Sequence, residues 1–176
     1  MNIFFEIPGL NVYLQIFFTL LSIGIHLYAT RGKPRESLVT EITHFVIGLS
    51  GWFTIISGLF GHIIYADEVA ASIGWPVESG FQMELGFTSI GIGIVGFLGF
   101  RNRSVWLPFI ITKVALGFGA GFTHILHAVQ HNNFSPNNVG IILYWDFIFP
   151  VILIVLYILY RREQNALPAS AAVPAA

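Results

Sequence analysis

The chain contains no cysteine, which excludes disulfides, thiolate metal ligands, cysteine nucleophiles and a covalently attached c-type haem. Charge is scarce as well: 10% of the residues are Asp, Glu, Lys or Arg, against roughly 25% in an average soluble domain. The net charge of −1 argues against a nucleic-acid partner, which calls for a basic surface. The opening Met-Asn-Ile-Phe-Phe-Glu lacks the basic region of a cleavable signal peptide, so the first apolar run is expected to be retained. No internal repeat is visible, so the inverted-repeat design of many transporters is not expected.

What is present is apolar. Of 176 residues 55% are hydrophobic, with 17 Phe and 18 Gly, and the mean hydropathy is +0.76. Glycine is more frequent in membrane helices than in soluble ones. Five apolar runs have the roughly 20 residues that a helix needs to cross a bilayer. They cover about Leu10–Ala29, Leu38–Ala66, Gly80–Phe100, Val105–Gln130 and Val139–Tyr160. The second exceeds the bilayer thickness and should tilt or project into water. The expected fold is an all-α integral membrane bundle of five transmembrane helices, a single domain over 1–162 followed by a disordered, low-complexity tail over 163–176.

The charges set the orientation. Arg31, Lys33, Arg35, Arg101, Arg103, Arg161 and Arg162 fall on one side of such a bundle, whereas Asp67, Glu68 and Glu78 fall on the other. Positive residues mark the cytoplasmic side, which places the N-terminus outside and the C-terminus inside. Trp75, Tyr157 and Tyr160 are expected as interfacial anchors. Ser79 with Gln82 reads as a capping box that starts the third span, and Ser104 and Asn138 read as N-caps of the fourth and fifth. Gly86, Ser89, Gly93 and Gly96 in the third span, and Gly117, Gly119 and Gly121 in the fourth, are expected to let helices pack closely in lipid.

Ionisable residues inside a membrane segment are costly and mark functional sites by default. With about 1.5 Å of rise per residue, His62, Glu84, His124, His127 and Asp146 all fall roughly 5–10 Å inside the outer boundary, on four different spans. His124 and His127 share a helix face. Pro150 leaves the carbonyl of Asp146 without its usual donor. Imidazole with carboxylate suits Zn, Cu, Fe or Ni, so the expected site is a transition-metal centre built from these five, with His62, Glu84 and His124 as the inner ligands. The competing reading is that these polar groups merely pair with one another, as buried polar groups must. Glu84 could snorkel from the first helical turns, and His131 reads as interfacial. Near the other boundary Glu41 and His44 form a Glu-x-x-His pair, and Lys113 is expected to pair with Glu41. A b-type haem between His62 and His124 ranks lower. A second haem would have to use His44, which stands 18 residues from His62, roughly 27 Å along one helix.

His62, Gly74-Trp75-Pro76, Phe81-Gln82-x-Glu84-x-Gly86, the glycine-rich third span and His124 together resemble a family of small, functionally uncharacterised polytopic bacterial membrane proteins. The resemblance covers about the middle third of the chain and implies that His62, Glu84 and His124 belong together. It supplies no activity. The expected function is therefore a metal-binding bacterial inner-membrane protein, an oxidoreductase or an accessory subunit of a membrane metalloenzyme. The alternatives are a proton-coupled or small-ion transporter and a structural or assembly subunit. Its surroundings are the lipid bilayer and a second copy or a membrane-complex partner docked on the glycine faces.

Overall fold

The computed structural model describes residues 7–166, with the side chain of Ser79 excepted. The described chain is helical. Helix α1 (Leu10–Ala29) is followed by α2 (Leu38–Ile56), which runs into a π-helical segment (Ser57–Ile64), and by a short α3 (Ala66–Ile73). Helix α4 spans Ser79–Leu98; a 3-10 turn (Arg103–Val105) leads into α5 (Trp106–His131), and a one-turn α6 (Pro136–Val139) precedes α7 (Ile141–Ala166). Five segments are long and apolar enough to cross a membrane: Leu10–Ala29, Leu38–Ile64, Gly80–Leu98, Arg103–His131 and Pro136–Ala166. This is a multi-pass helical membrane bundle. The last helix runs through Ala166, so residues 163–166 continue it; the rest of the expected disordered tail, 167–176, lies outside the described residues.

Two helix pairs make the bundle. In the first, α2 and α4 meet backbone to backbone. A Cβ on Gly51 would collide with the main chain of Gly96 and Phe97, and one on Gly58 would lie 2.7 Å from the Gly86 carbonyl. Between lipid-immersed helices, close packing rather than burial from water drives association, and small residues permit it. In the second pair, α5 offers Gly117 and Gly121 to α7: a Cβ on Gly117 would lie 2.8 Å from Pro150 and one on Gly121 would lie 2.7 Å from Phe147. Gly119 faces open space. The pairs join through an apolar core of Val46, Ile47, Trp106, Phe109, Ile110, Phe149 and Leu153. Trp106 sits in it fully buried, its indole N–H satisfied by the Gly99 carbonyl at 2.9 Å. Helix α1 lies on the outside with Val12 as its buried residue.

The helix ends differ from the expected caps. Helix α4 starts at Ser79 behind Glu78, with no side-chain cap, because Gln82 turns to His62 instead. Asn102 rather than Ser104 caps the fourth span, accepting from the Ser104 N–H at 2.9 Å. Ser37 caps α2 through the Thr40 N–H. The π-helical segment contains a Tyr65 N–H to Phe60 carbonyl bond, five residues back. Such wide turns are frequent at functional sites, and His62 lies within this one.

Candidate functional site

The polar residues gather at the bundle end that carries Trp75. Helix α3 stops at Gly74, whose φ of 78° is left-handed and would strain a residue with a Cβ. Its last carbonyls are received by the loop after α5. Asn133 donates to Ile73 O at 2.7 Å and Gly74 O at 3.2 Å, and Ser135 Oγ donates to Ile73 O at 2.6 Å. Helix α1 is tied to the same loop by the Gly9 N–H, which donates to Asn137 Oδ1 at 3.1 Å. Buried backbone groups at helix ends need such partners.

Asn138 is the centre of this end. It does not cap the last helix as expected; it is fully buried in the turn before it. Its Nδ2 donates to the carbonyls of His124 at 3.2 Å and Asn133 at 2.9 Å. Its Oδ1 accepts from Trp75 Nε1 at 2.9 Å and faces His124 Nδ1 at 2.9 Å. Two carbonyls on one side and an indole N–H on the other leave the amide a single orientation. Because Oδ1 only accepts, the hydrogen of a neutral His124 is on Nδ1, and Nε2 presents its lone pair. Trp75, expected as an interfacial anchor, instead lays its ring over His124 and His127, with centroids 5.1 and 5.3 Å away.

The His124 lone pair points to Asp146. Nε2 and Oδ2 are 3.7 Å apart, within ion-pair range and beyond hydrogen-bond length, and Oδ2 has no hydrogen-bond partner among the described residues. A lone pair facing a carboxylate is repulsive, so the pair is stable only with a proton on one of the two atoms. Gly117 and Gly121 let Asp146 into this position, since a Cβ on either would crowd the Asp146 carbonyl oxygen or its Cβ at 3.2 and 3.1 Å. Pro150, four residues on, is fully buried there. Lys113, about three helical turns before His124 on α5, acts on Asp146 electrostatically. Lys113, Asp146 and His124 thus form a polar line along the α5–α7 seam.

The other expected residues stand apart from that line. His62 Nδ1 meets Gln82 Oε1 at 2.7 Å. Glu84 is exposed on α4 and makes no hydrogen bond or ion pair among the described residues. His127 is held by Asn133 Nδ2 at 3.1 Å and packs on His131, centroids 4.5 Å apart. Among the described residues no three His, Asp or Glu side chains are grouped so as to hold a metal ion. At the opposite end Glu41 pairs with His26 at 3.6 Å, not with Lys113, which acts electrostatically on Asp146 instead. His44 packs among the rings of Phe45, Phe100 and Trp106.

With this geometry in view, the comparison with known families is informative. The sequence model of a family described as "Family of unknown function (DUF6790)" matches residues 11–166. The chain belongs to that family. The match extends over nearly the whole bundle, well beyond the middle third that carried the resemblance, and it agrees with an uncharacterised family. No curated protein and no solved structure matches the chain. For this DUF6790 protein the site must therefore speak through its own chemistry: a buried imidazole of fixed tautomer, a carboxylate and an ammonium group in one seam. Sequence reasoning named His124, Asp146 and Lys113 but missed the residues that orient them, Asn138, Asn133 and Trp75. The signal was there, since 131–139 reads His-Asn-Asn-Phe-Ser-Pro-Asn-Asn-Val, and four asparagines in so short a loop offer more amide groups than a turn needs.

Proposed function

We propose that the protein is a multi-pass component of a bacterial inner membrane, N-terminus outside and C-terminus in the cytoplasm, that moves protons or couples them to a small ion or solute. The carrying observation is the His124–Asp146 pair. Asn138 commits His124 Nδ1, which leaves Nε2 and Asp146 Oδ2, 3.7 Å apart, as two neighbouring sites between which a proton could pass once the side chains close to hydrogen-bond length. Histidine and carboxylate chains inside a membrane are the usual materials of proton relays. Lys113 supports the reading as a further ionisable group on the same two-helix seam that acts on Asp146 electrostatically. The seven basic residues gathered at one end support the orientation.

The test is proton flux into liposomes under an imposed pH gradient, followed with an enclosed pH-sensitive dye. Asp146→Asn, which keeps the shape and removes the proton site, is expected to slow flux by on the order of 100-fold, the usual scale for loss of one proton-transfer group. Wild-type flux in that variant overturns the reading. The rival is the transition-metal centre of His62, Glu84, His124, His127 and Asp146, serving an oxidoreductase or an accessory subunit. Its support is that His124 Nε2 and Asp146 Oδ2 offer two ligand atoms side by side. Zinc, copper or iron retained through purification without chelator, and lost in His124→Ala, selects it.

A further inference from the structure

Beside the His124–Asp146 pair, a cleft of about 450 Å³ opens between the start of α4 and the end of α5, lined by Trp75, Glu78, Phe81, Gln82 and His127 among others. Its volume falls within the roughly 300–1,000 Å³ of small-molecule sites. What each polar group can offer to this cleft follows from what its other end already holds. Gln82 spends its carbonyl oxygen on His62 Nδ1 at 2.7 Å, which leaves its NH₂ as a donor. Asn133 Nδ2, which can only donate, faces the His127 Nδ1 at 3.1 Å and shares its two hydrogens between that nitrogen and the Ile73 and Gly74 carbonyls, while its oxygen accepts from the Ser135 N–H. A neutral His127 therefore carries its hydrogen on Nε2, again a donor. Glu78 is exposed, and its carboxylate makes no hydrogen bond or ion pair among the described residues. It is an acceptor and an anion. Trp75 and Phe81 supply aromatic surface.

A cleft with two fixed donors, one carboxylate and two aromatic rings matches a ligand that has an anionic group, a cationic group and an apolar body. We infer that the cleft binds a zwitterionic, amino-acid-like small molecule, its ammonium on Glu78, its carboxylate on His127 and Gln82, and its side chain against Trp75 and Phe81. The ammonium also gains from the faces of the rings. Trp75 links this cleft to the proton pair, because its ring covers His127 and His124 while its N–H holds Asn138. Ligand contact with Trp75 is thereby contact with the group that orients His124. The inference deepens the proton-coupled reading and rests on it for the use made of binding, though not for binding itself.

The experiment is calorimetric titration of the full-length protein in detergent with three probes: L-phenylalanine, phenethylamine, which lacks the carboxylate, and phenylacetate, which lacks the ammonium. L-phenylalanine is expected to bind saturably, and each single-charge analogue at least about tenfold more weakly, since every lost charged partner leaves its counterpart unpaired. Glu78→Gln is expected to weaken L-phenylalanine and phenethylamine while leaving phenylacetate unchanged. Equal binding of phenethylamine and L-phenylalanine, an undiminished Glu78→Gln variant, or no saturable binding of any probe overturns the inference. Asp146→Asn separates the two proposals. Retained L-phenylalanine binding alongside wild-type flux in that variant sinks the proton reading alone; lost flux with no probe bound by wild type sinks the amino-acid inference alone.

Discussion

The two ends of the bundle are held together by different physics. At the Glu41 end the helices fit by shape: Gly48, Gly96 and Gly99 admit Phe100, Phe109 and Trp106 into close contact and Gly51 admits the main chain of α4, and the fully buried Trp106 makes one hydrogen bond from its ring. The buried carboxylate there, Glu41, has one oxygen without a partner among the described residues. At the Trp75 end the helices are held by directed hydrogen bonds that converge on asparagines, and two of these amides, Asn138 and Asn133, each face an imidazole. Lipid explains why both solutions coexist. Burial from water contributes nothing between helices inside a bilayer, so contacts rely either on close packing or on polar pairing. Packing tolerates no change of volume, whereas polar pairing tolerates no loss of a partner. Only the second leaves ring nitrogens in defined protonation states, which is what chemistry at a site requires.

The largest effect should come from breaking the polar end at its centre. Asn138→Leu leaves the Trp75 N–H and the His124 and Asn133 carbonyls without partners, each costing about 1–3 kcal/mol, so a loss of roughly 3 kcal/mol or more is expected in thermal unfolding in detergent. A melting temperature near that of wild type would show that the asparagine network contributes little. The packed end is tested next by a pair. Gly51→Ala must push α2 from α4 and should cost about 1–3 kcal/mol, the usual range for overpacking. Gly119→Ala, in open space, should stay within about 0.5 kcal/mol as ordinary surface changes do. Equal losses in the two variants would mean that the glycine seam is not tight. The smallest effect is expected at Glu41. Glu41→Gln removes a charge that His26 meets at 3.6 Å, while the amide keeps the shape and can still bond the imidazole. Its stability should change by less than about 1 kcal/mol, as poorly compensated buried charges contribute little net. A loss as large as that of Asn138→Leu would erase the contrast between the two ends.

The spans were legible because a bilayer imposes one simple demand: about 20 apolar residues with every backbone group bonded within the helix. That demand is local, so it is written in runs of sequence, and the runs at Leu10–Ala29 and near Gly80–Leu98 agree with the observed helices almost residue for residue. Depth was legible for the same reason, since rise per residue is nearly constant along a helix. This is how His124 and Asp146 could be set at one level and found side by side. The glycine seams were visible too, as stripes in the third and fourth spans, although Gly119 of the fourth proved to face open space.

Rotation about each helix axis, and hence which polar groups at one level meet, was decided by the tertiary structure. His62 lies within the π-helical segment Ser57–Ile64 and faces Gln82, and Glu84 was left outside. Asp146 was brought against α5 because Gly117 and Gly121 admit α7 there, within electrostatic reach of Lys113. Nor does spacing along one helix show that an asparagine in a loop will be buried between an indole and an imidazole from other elements. By itself the sequence determined at what level along its helix each group lies, because that depends on one chain segment alone. The partners, tautomers and cleft were set only when several segments packed together, because a hydrogen bond has a direction and the direction belongs to the assembled bundle.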